Sequence, residues 1–269
     1  MTSSDDPLEN SSLLAEMLVQ ATAAQLVCTP EVTNCVSQSR GHQKSVLHEE
    51  GTDPVLGAAR RIAGERKAWL SLGSLALKCD DPHGRFANRS FLIDRSGGIA
   101  ARYDKIHMFD VTVSAEETYR ESAGYRPGGK AVVTAMGDVG IGLTICYDLR
   151  FPHLYRALAK AGADILLVPS AFSPVTGKAH WETLLRARAI ETGCFVVAAA
   201  QTGTHKAREG AARKTYGHSL IVSPWGDVLL DAGTDPGVHT VDLDLSEVSE
   251  ARRRIPALQH DRKIEGPDG

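Results

Sequence analysis

Three polar residues that could act together on an amide stand at the ends of apolar segments. They are Glu31 in LVCTPEVTN, Lys105 in ARYDKIHMFD and Cys146 in LTICYDLRFP. A thiol can be the nucleophile, a carboxylate its general base, and an ammonium group can stabilise the oxyanion. Each signal is weak alone, because a lone cysteine usually packs as a small apolar residue and a lone glutamate or lysine is usually solvated. Together the three residue types predict amide hydrolysis.

Cys146 stands at a predicted junction between a strand and a helix. Residues 139–145 are apolar or glycine throughout, which is typical of a strand buried on both faces. Pro152 then opens a helix with Leu154, Leu158 and Ala161 along one side. Ligands bind at the carboxyl ends of strands in open α/β sheets, and a helix amino terminus favours a thiolate. The position therefore suits a reactive cysteine that ionises easily.

The remaining elements alternate between strands and helices, with hairpins between them. This pattern predicts a mixed sheet or two sheets covered by helices, and it excludes a purely parallel barrel. A long polar loop, residues 108–127, is expected to be functional, and residues 202–215 are expected to form a mobile basic loop. The other predicted helices are 8–24, 54–66, 180–192 and 247–254; the other predicted strands are 25–28, 69–77, 89–93, 100–106, 131–135, 164–168, 194–200, 219–222, 227–231 and 238–243.

Composition narrows the class of protein. The 269 residues predict one large domain, 1–269, and the 42% hydrophobic content is ordinary for a globular chain. The net charge of −3 gives no reason to expect nucleic acid or an anionic membrane as partner. No apolar run reaches the roughly 18 residues of a membrane helix. The five cysteines are odd in number and without a CxxC pair, so we expect reduced thiols, a cytoplasmic protein and no metal site.

Three blocks of the sequence resemble the signature blocks of the nitrilase superfamily of carbon–nitrogen hydrolases. They are TPEVTN, RYDKIHMFDV and ICYDLRFPHLYRALAKAGADILLVPSAF. Tyr-Asp after the cysteine resembles the amidase branches, whereas true nitrilases have Trp-Glu there. The stretch AHWETLLRARAIETGCFVVAAAQTGTH resembles the deaminated-glutathione amidases most, and the omega-amidases next. The resemblance implies an α/β fold, a four-layer α-β-β-α sandwich, a homodimer and no metal or organic cofactor.

The resemblance also implies roles for individual residues. Glu31 would be the general base, Lys105 the oxyanion-stabilising cation and Cys146 the nucleophile that forms a thioester. The second glutamate of the superfamily would be Glu121 in YRES, which would hold Lys105 and the leaving group in place. A backbone N–H near Tyr147 would also bind the oxyanion.

Two further residues are candidates for binding the substrate. Arg150 follows Cys146 by four residues and could hold a substrate carboxylate by a bidentate contact. An ion pair of Arg150 with Asp148 or Glu31 is an equal alternative. His180 follows the PSAFSPVTG loop and could line the pocket. The expected substrate is a small primary amide with a carboxylate, such as deaminated glutathione or an alpha-keto acid omega-amide.

Two other functions remain open at this point. An N-carbamoyl amino acid hydrolase, or another amidase of the superfamily, would share the chemistry and differ in its pocket. A catalytically silent scaffold would keep the fold for protein contacts. The intact set of Glu31, Lys105 and Cys146 argues against the scaffold.

The amino terminus departs from the pattern of the superfamily. Its members usually begin with a strand of the type ALVQ directly before the segment that corresponds to MTSSDDP. Because Met1 stands at that point, the resemblance implies that a first, central strand is absent. Its absence would expose unpaired backbone groups and apolar core surface.

Overall fold

The computed structural model describes residues 1–21, 24–113 and 117–266. The helices in these ranges are α1 Pro7–Gln20, α2 Arg40–Val46, α3 Pro54–Arg66, α4 Pro152–Lys160, α5 Pro174–Thr192 and α6 Ser246–Arg254. The strands are β1 Leu26–Cys28, β2 Trp69–Leu77, β3 Ala87–Ile93, β4 Ile99–Asp104, β5 Asp110–Thr112, β6 Thr118–Arg120, β7 Val132–Met136, β8 Val139–Leu143, β9 Ile165–Leu167, β10 Phe195–Ala198, β11 Thr202–Thr204, β12 Lys214–Tyr216, β13 Leu220–Val222 and β14 Val228–Asp231. Short 3-10 turns cover Glu50–Thr52, Glu121–Ala123, Cys146–Arg150 and Ala257–Gln259.

Most of the strands belong to two mixed sheets. The first sheet has the order β1-β2-β3-β4 and the second has the order β14-β13-β10-β9-β8-β7. Only β1 with β2, β8 with β9 and β9 with β10 pair in parallel among the described strands. β5–β6 and β11–β12 form separate two-stranded hairpins. The prediction of mixed sheets interrupted by hairpins is confirmed.

The two sheets lie face to face between two layers of helices. Alternate residues of β3 point to opposite faces, as strand geometry requires. Phe91 belongs to the buried cluster that joins the first sheet to α1 and α3, whereas Leu92 belongs to the cluster shared with the second sheet. That second cluster extends through Leu166 to Trp181 on α5. The order of layers is therefore helix, sheet, sheet, helix, and the expected four-layer α-β-β-α sandwich is confirmed.

Strand β8 leads to the predicted site, and its backbone packs closely against neighbouring residues. A Cβ on Gly140 would lie 1.9 Å from the carbonyl oxygen of Gly162, and a Cβ on Gly142 would lie 2.9 Å from Leu166. Ile145, after the strand, is fully buried. The two glycines thus allow β8, the strand that leads into Cys146, to pack closely against Gly162 and Leu166.

The predicted last strand, 238–243, is not formed. This segment borders a cavity of about 410 Å³ that is also lined by β1 and β10. β1 stays the edge of its sheet, so 238–243 does not pair with it although the edge has backbone groups free to pair. Within the described residues the backbone groups of 238–243 accordingly form no hydrogen bonds to other backbone groups.

Several local predictions need correction. α5 begins at Pro174 and not at residue 180, because Pro174 occupies the first helical position after Ser173. The two predicted loops each contain a hairpin, and α2, capped by the Ser39 side chain, was not predicted. Ala161 is exposed, since α4 ends at Lys160. No helix in the described ranges is long and apolar enough to cross a membrane.

Candidate active site

The three predicted catalytic residues come from strands of both sheets and meet at one cavity. Glu31 lies three residues beyond β1, Lys105 directly follows β4, and Cys146 lies three residues beyond β8. All three line a cavity of about 330 Å³, together with Glu121. The sheets must therefore pack against each other before the site exists.

Lys105 joins the two carboxylates of the site. Its Nζ donates to Oε1 of Glu31 and to both carboxylate oxygens of Glu121, each at 2.9 Å. Only 2% of Lys105 is exposed. Burial opposes its charge, yet the negative charges of Glu121 and Glu31 hold the pKa of the Lys105 ammonium well above its usual value. Lys105 is thus a fixed cation at the edge of the cavity.

Glu31 is a buried but ionised carboxylate. Its Oε1 also accepts from Asn88 Nδ2 at 2.9 Å, and its Oε2 accepts from the backbone N–H of Ala171 at 2.9 Å. Burial alone would raise its pKa. The charges of Lys105 and Arg213, with hydrogen bonds to the carboxylate, bring the pKa of Glu31 below its ordinary value instead. The carboxylate is therefore ready to accept a proton.

Cys146 is a neutral thiol that lines the cavity together with Glu31. Burial, and next the negative charge of Glu31, raise the pKa of the thiol, although Lys105 and the Ala171 N–H oppose this. The expectation that a helix amino terminus makes this thiol ionise easily is wrong. A 3-10 turn follows Cys146, and α4 begins only at Pro152. The geometry favours transfer of the proton to Glu31 during attack on a substrate.

The backbone is left-handed at two positions in the site. Cys146 has φ of 51°, and Val32, next to Glu31, has φ of 47°. Non-glycine residues rarely adopt this region, and a β-branched residue does so least readily. Both positions are held by hydrogen bonds: the N–H of Cys146 donates to Pro169 O at 2.9 Å, and that of Val32 to Ser74 Oγ at 2.8 Å.

Glu121 has the position that the sequence resemblance implies. It begins the 3-10 turn Glu121–Ala123 and accepts from the backbone N–H of Phe109 at 2.6 Å, as well as from Lys105. Both carboxylates thus bind the same ammonium group. The role of Glu121 toward the leaving group stays a prediction.

The structure adds residues that the sequence reasoning missed. Asn88 is a buried polar residue of β3 that donates to Glu31, while its Oδ1 has no partner in the described part of the chain. The peptide N–H of Ala171 holds Glu31, and Arg213 also lines the cavity. A buried asparagine inside a strand could have been noticed in ANRSFLI. The other two depend on contacts between distant segments.

The predicted substrate-binding residues are placed differently from one another. Tyr147 lines the cavity, whereas Arg150 and His180 are not in its lining. Arg150 Nη2 instead lies 3.2 Å from His180 Nδ1, and its guanidinium is 5.9 Å from the Tyr147 ring centroid. Asp148 accepts from Tyr103 and His107, so the ion pair considered with Arg150 is not formed. The roles of Arg150 and His180 in binding substrate stay predictions.

The arrangement can carry out nucleophilic attack with general-base help. A neutral thiol, an ionised carboxylate and the ammonium bound to that carboxylate line one cavity. No group of three or more His, Cys, Asp or Glu side chains is placed to hold a metal ion within residues 1–21, 24–113 and 117–266.

Comparisons with known proteins agree with this chemistry. The family model described as carbon-nitrogen hydrolase matches residues 2–253. A relative from Yersinia enterocolitica named deaminated glutathione amidase is 37% identical over 267 residues, covering 98% of this chain and 91% of its own. The crystal structure of the C. elegans NitFhit protein has a TM-score of 0.87 and 36% identity, covering 97% of this chain and 63% of its own.

A further structural relative bears on the cysteine. A mutant of the amidase from Nesterenkonia sp. AN1 has a TM-score of 0.74 and 27% identity, with 95% of each chain covered. That structure shows the result of Michael addition of acrylamide at the active-site cysteine of that amidase.

Proposed function

Because the chain belongs to the carbon–nitrogen hydrolase family and is an enzyme that acts on non-peptide amides, we propose that it is a cysteine-dependent amidase that releases ammonia through a thioester. One observation carries the proposal. Glu31, an ionised carboxylate held by Lys105 at 2.9 Å, lines the same cavity as the neutral Cys146 thiol. This is a nucleophile and general-base pair with its own orienting group.

The first half of the reaction forms the thioester. Glu31 accepts the thiol proton as the Cys146 sulfur attacks the amide carbonyl carbon. The Lys105 ammonium and a backbone N–H near Tyr147 stabilise the oxyanion. The carbon–nitrogen bond then breaks, Glu31 gives its proton to the departing nitrogen, and ammonia leaves.

The second half restores the enzyme. Glu31 accepts a proton from a water molecule that attacks the thioester carbonyl, and Lys105 again stabilises the oxyanion. The carbon–sulfur bond breaks, the proton returns to the Cys146 sulfur, and the carboxylic acid is released. The same base thus serves both steps.

The proposed substrate is a small primary amide that carries a carboxylate. The relative named deaminated glutathione amidase supports a keto acid amide with a carboxylate; in deaminated glutathione itself the leaving group is an amine in place of ammonia. The cavity of about 330 Å³ also suits a small molecule, and it is lined by aromatic rings and by arginines.

A substrate panel with a nucleophile variant tests the proposal. Ammonia release is measured for alpha-ketoglutaramate and an N-carbamoyl amino acid, release of the amine cysteinylglycine is measured for deaminated glutathione, and hydroxylamine is added to trap a thioester as the hydroxamate. Cys146→Ala is expected to lose at least about a thousandfold in rate and all hydroxamate, with an unchanged melting temperature. Cys79→Ala, a cysteine outside the cavity, is the matched control. Turnover by Cys146→Ala, or release of ammonia only from the carbamoyl compound, would refute the assignment.

A further inference from the structure

Arg213 is a cation of the cavity wall with unused hydrogen-bond donors. It lies directly before β12, and its Nη2 donates to the carbonyl oxygen of Ala171 at 2.6 Å. Its Nε is buried and has no acceptor in the described part of the chain. Arg213 forms no ion pair with the described carboxylates. The charge of Arg213 acts on Glu31 without a direct ion pair, so an anionic ligand in contact with the partly buried guanidinium would stabilise it further.

The other cations of the same wall already have partners. Lys105 is bound to the carboxylates of Glu31 and Glu121. Arg40 donates to the carbonyl oxygens of Gly124 and Gly84, and it lies over an aromatic ring. Arg120 is exposed and likewise donates to two backbone carbonyls. Arg213 therefore differs from the other described cations of the cavity.

A single residue, Ala171, connects Arg213 with Glu31 through backbone hydrogen bonds. The N–H of Ala171 donates to Glu31 Oε2, and the C=O of the same residue accepts from Arg213. The Ala171 N–H also interacts with the Cys146 thiol. An anion bound by Arg213 would therefore lie in the same cavity as the nucleophile.

A second unused donor lies close to this position. The hydroxyl of Ser173 is buried on the cavity wall and makes no hydrogen bond of normal geometry to the described residues. The neighbouring Tyr119 hydroxyl donates to Glu117 Oε1 at 2.6 Å. The Nε of Arg213 and the hydroxyl of Ser173 are thus donors without acceptors at the same cavity, and each can donate to a carboxylate oxygen.

We propose that Arg213, with the Ser173 hydroxyl, binds the carboxylate of the amide substrate. The inference rests on the proposed amidase function and names the residues that select its substrate class, short amides with a carboxylate at the far end. It differs from the sequence expectation for Arg150, which lies outside the cavity lining and donates to His180.

Selectivity between two matched amides tests the assignment. The monoamide of glutaric acid and pentanamide have the same chain length and differ only in the terminal carboxylate. The ratio of their kcat/KM values is measured for the wild type, Arg213→Met, Arg213→Lys, Ser173→Ala and Arg150→Met. Arg213→Met is expected to lower the ratio about ten- to a hundredfold, mainly through KM of the acid, and Arg213→Lys is expected to recover part of it. Ser173→Ala should lower it by a smaller factor, and Arg150→Met should leave it within about twofold.

Arg213 could also act only through Glu31, and the ratio separates the two roles. Loss of its charge should raise the pKa of Glu31 and move the pH profile of kcat/KM upward in either case. An equal loss of kcat/KM for both amides, with an unchanged ratio, would overturn the proposal. A fall of the ratio in Arg150→Met but not in Arg213→Met would overturn it as well.

A binding measurement separates this inference from the proposed function. Calorimetry with glutarate, the dicarboxylate product, uses the Cys146→Ala protein and needs no turnover. Adding Arg213→Met to that protein should weaken glutarate binding about ten- to a hundredfold. Unchanged binding would refute the role of Arg213 even if the amidase activity is found, and a wild type that hydrolyses no amide would refute the proposed function alone.

Discussion

Replacing Lys105 by methionine should make the stability of the protein depend on pH in a new way. Methionine keeps the length of the lysine side chain and removes the ammonium group. The change leaves Glu31, 4% exposed, and the partly buried Glu121 without the cation that lies 2.9 Å from both. We expect both lower stability and a changed pH dependence.

The magnitude follows from the burial of the pair. Removing one partner of a buried ion pair costs about 3–5 kcal/mol, because the remaining charge is left in a medium of low dielectric. Glu31 can limit this cost by taking up a proton. The loss of stability in Lys105→Met should therefore reach this range only at a pH at which the Glu31 carboxylate must be ionised.

The direction of the pH dependence follows from the pKa of Glu31 in each protein. In the wild type this pKa is lowered, so Glu31 contributes stability above its ordinary value of 4.5 and loses it as pH falls through the folded pKa. In Lys105→Met, much less positive charge opposes the effect of burial on Glu31. Burial should therefore raise the pKa of Glu31 in the folded variant above 4.5. The variant then loses stability as pH rises above 4.5, by up to about 1.4 kcal/mol per pH unit for one proton.

Urea unfolding of both proteins across the range from acid to neutral pH measures this effect. The free energy of unfolding of Lys105→Met should lie close to that of the wild type in acid and fall below it by about 3–5 kcal/mol near neutral pH. Lys130→Met, at an exposed lysine, is the control and should stay within about 0.5 kcal/mol. A deficit that is the same at every pH, or one below about 1 kcal/mol at neutral pH, would refute the reasoning.

Two further substitutions test the positioning of the base. Glu31→Gln should lower kcat by about 10²–10⁴-fold with a small change in melting temperature, because the general base is lost; a loss below tenfold in ammonia release would contradict this role. Gly73→Ala would place a Cβ 2.0 Å from Thr29 O and 2.5 Å from Pro30 O, directly before Glu31, so it should cost about 1–3 kcal/mol in urea unfolding and reduce kcat. Gly57→Ala in α3, where nothing lies within 4 Å of the added Cβ, is the control, and an equal loss in both variants would show that the close contact is not the cause.

The sequence predicted the parts of the fold that depend on local patterns. The apolar run that ends before Cys146 predicted β8, because a strand buried on both faces needs apolar side chains on both. Pro152 marked the start of α4 by the fixed φ of its ring. Glu31 and Lys105 were noticed because each lies just past or within an apolar segment. The four-layer arrangement came from the resemblance and not from the pattern.

Other features depend on partners far away in the chain, which a local pattern does not contain. The bond from Ala171 to Glu31 joins residues 140 positions apart, and the contact of Arg213 with Ala171 joins residues 42 apart. Strand propensity suggested a strand at 238–243, but a strand forms only by pairing with a neighbour, and this segment does not pair with the free edge of β1. The raised pKa of Cys146 likewise follows from burial beside Glu31, which the sequence around the cysteine does not reveal.

The left-handed backbone at Val32 and Cys146 implies a compromise between robustness and activity. Such a conformation costs about 1–3 kcal/mol at each non-glycine residue, and the valine is β-branched as well. Glycine at position 32 would relieve the strain, but it would also let the neighbouring Glu31 leave the orientation in which it meets the thiol. Substitutions that relax these two positions would therefore raise the thermal stability of the protein and lower its catalytic rate. Stabilising substitutions are better placed in the helical layers.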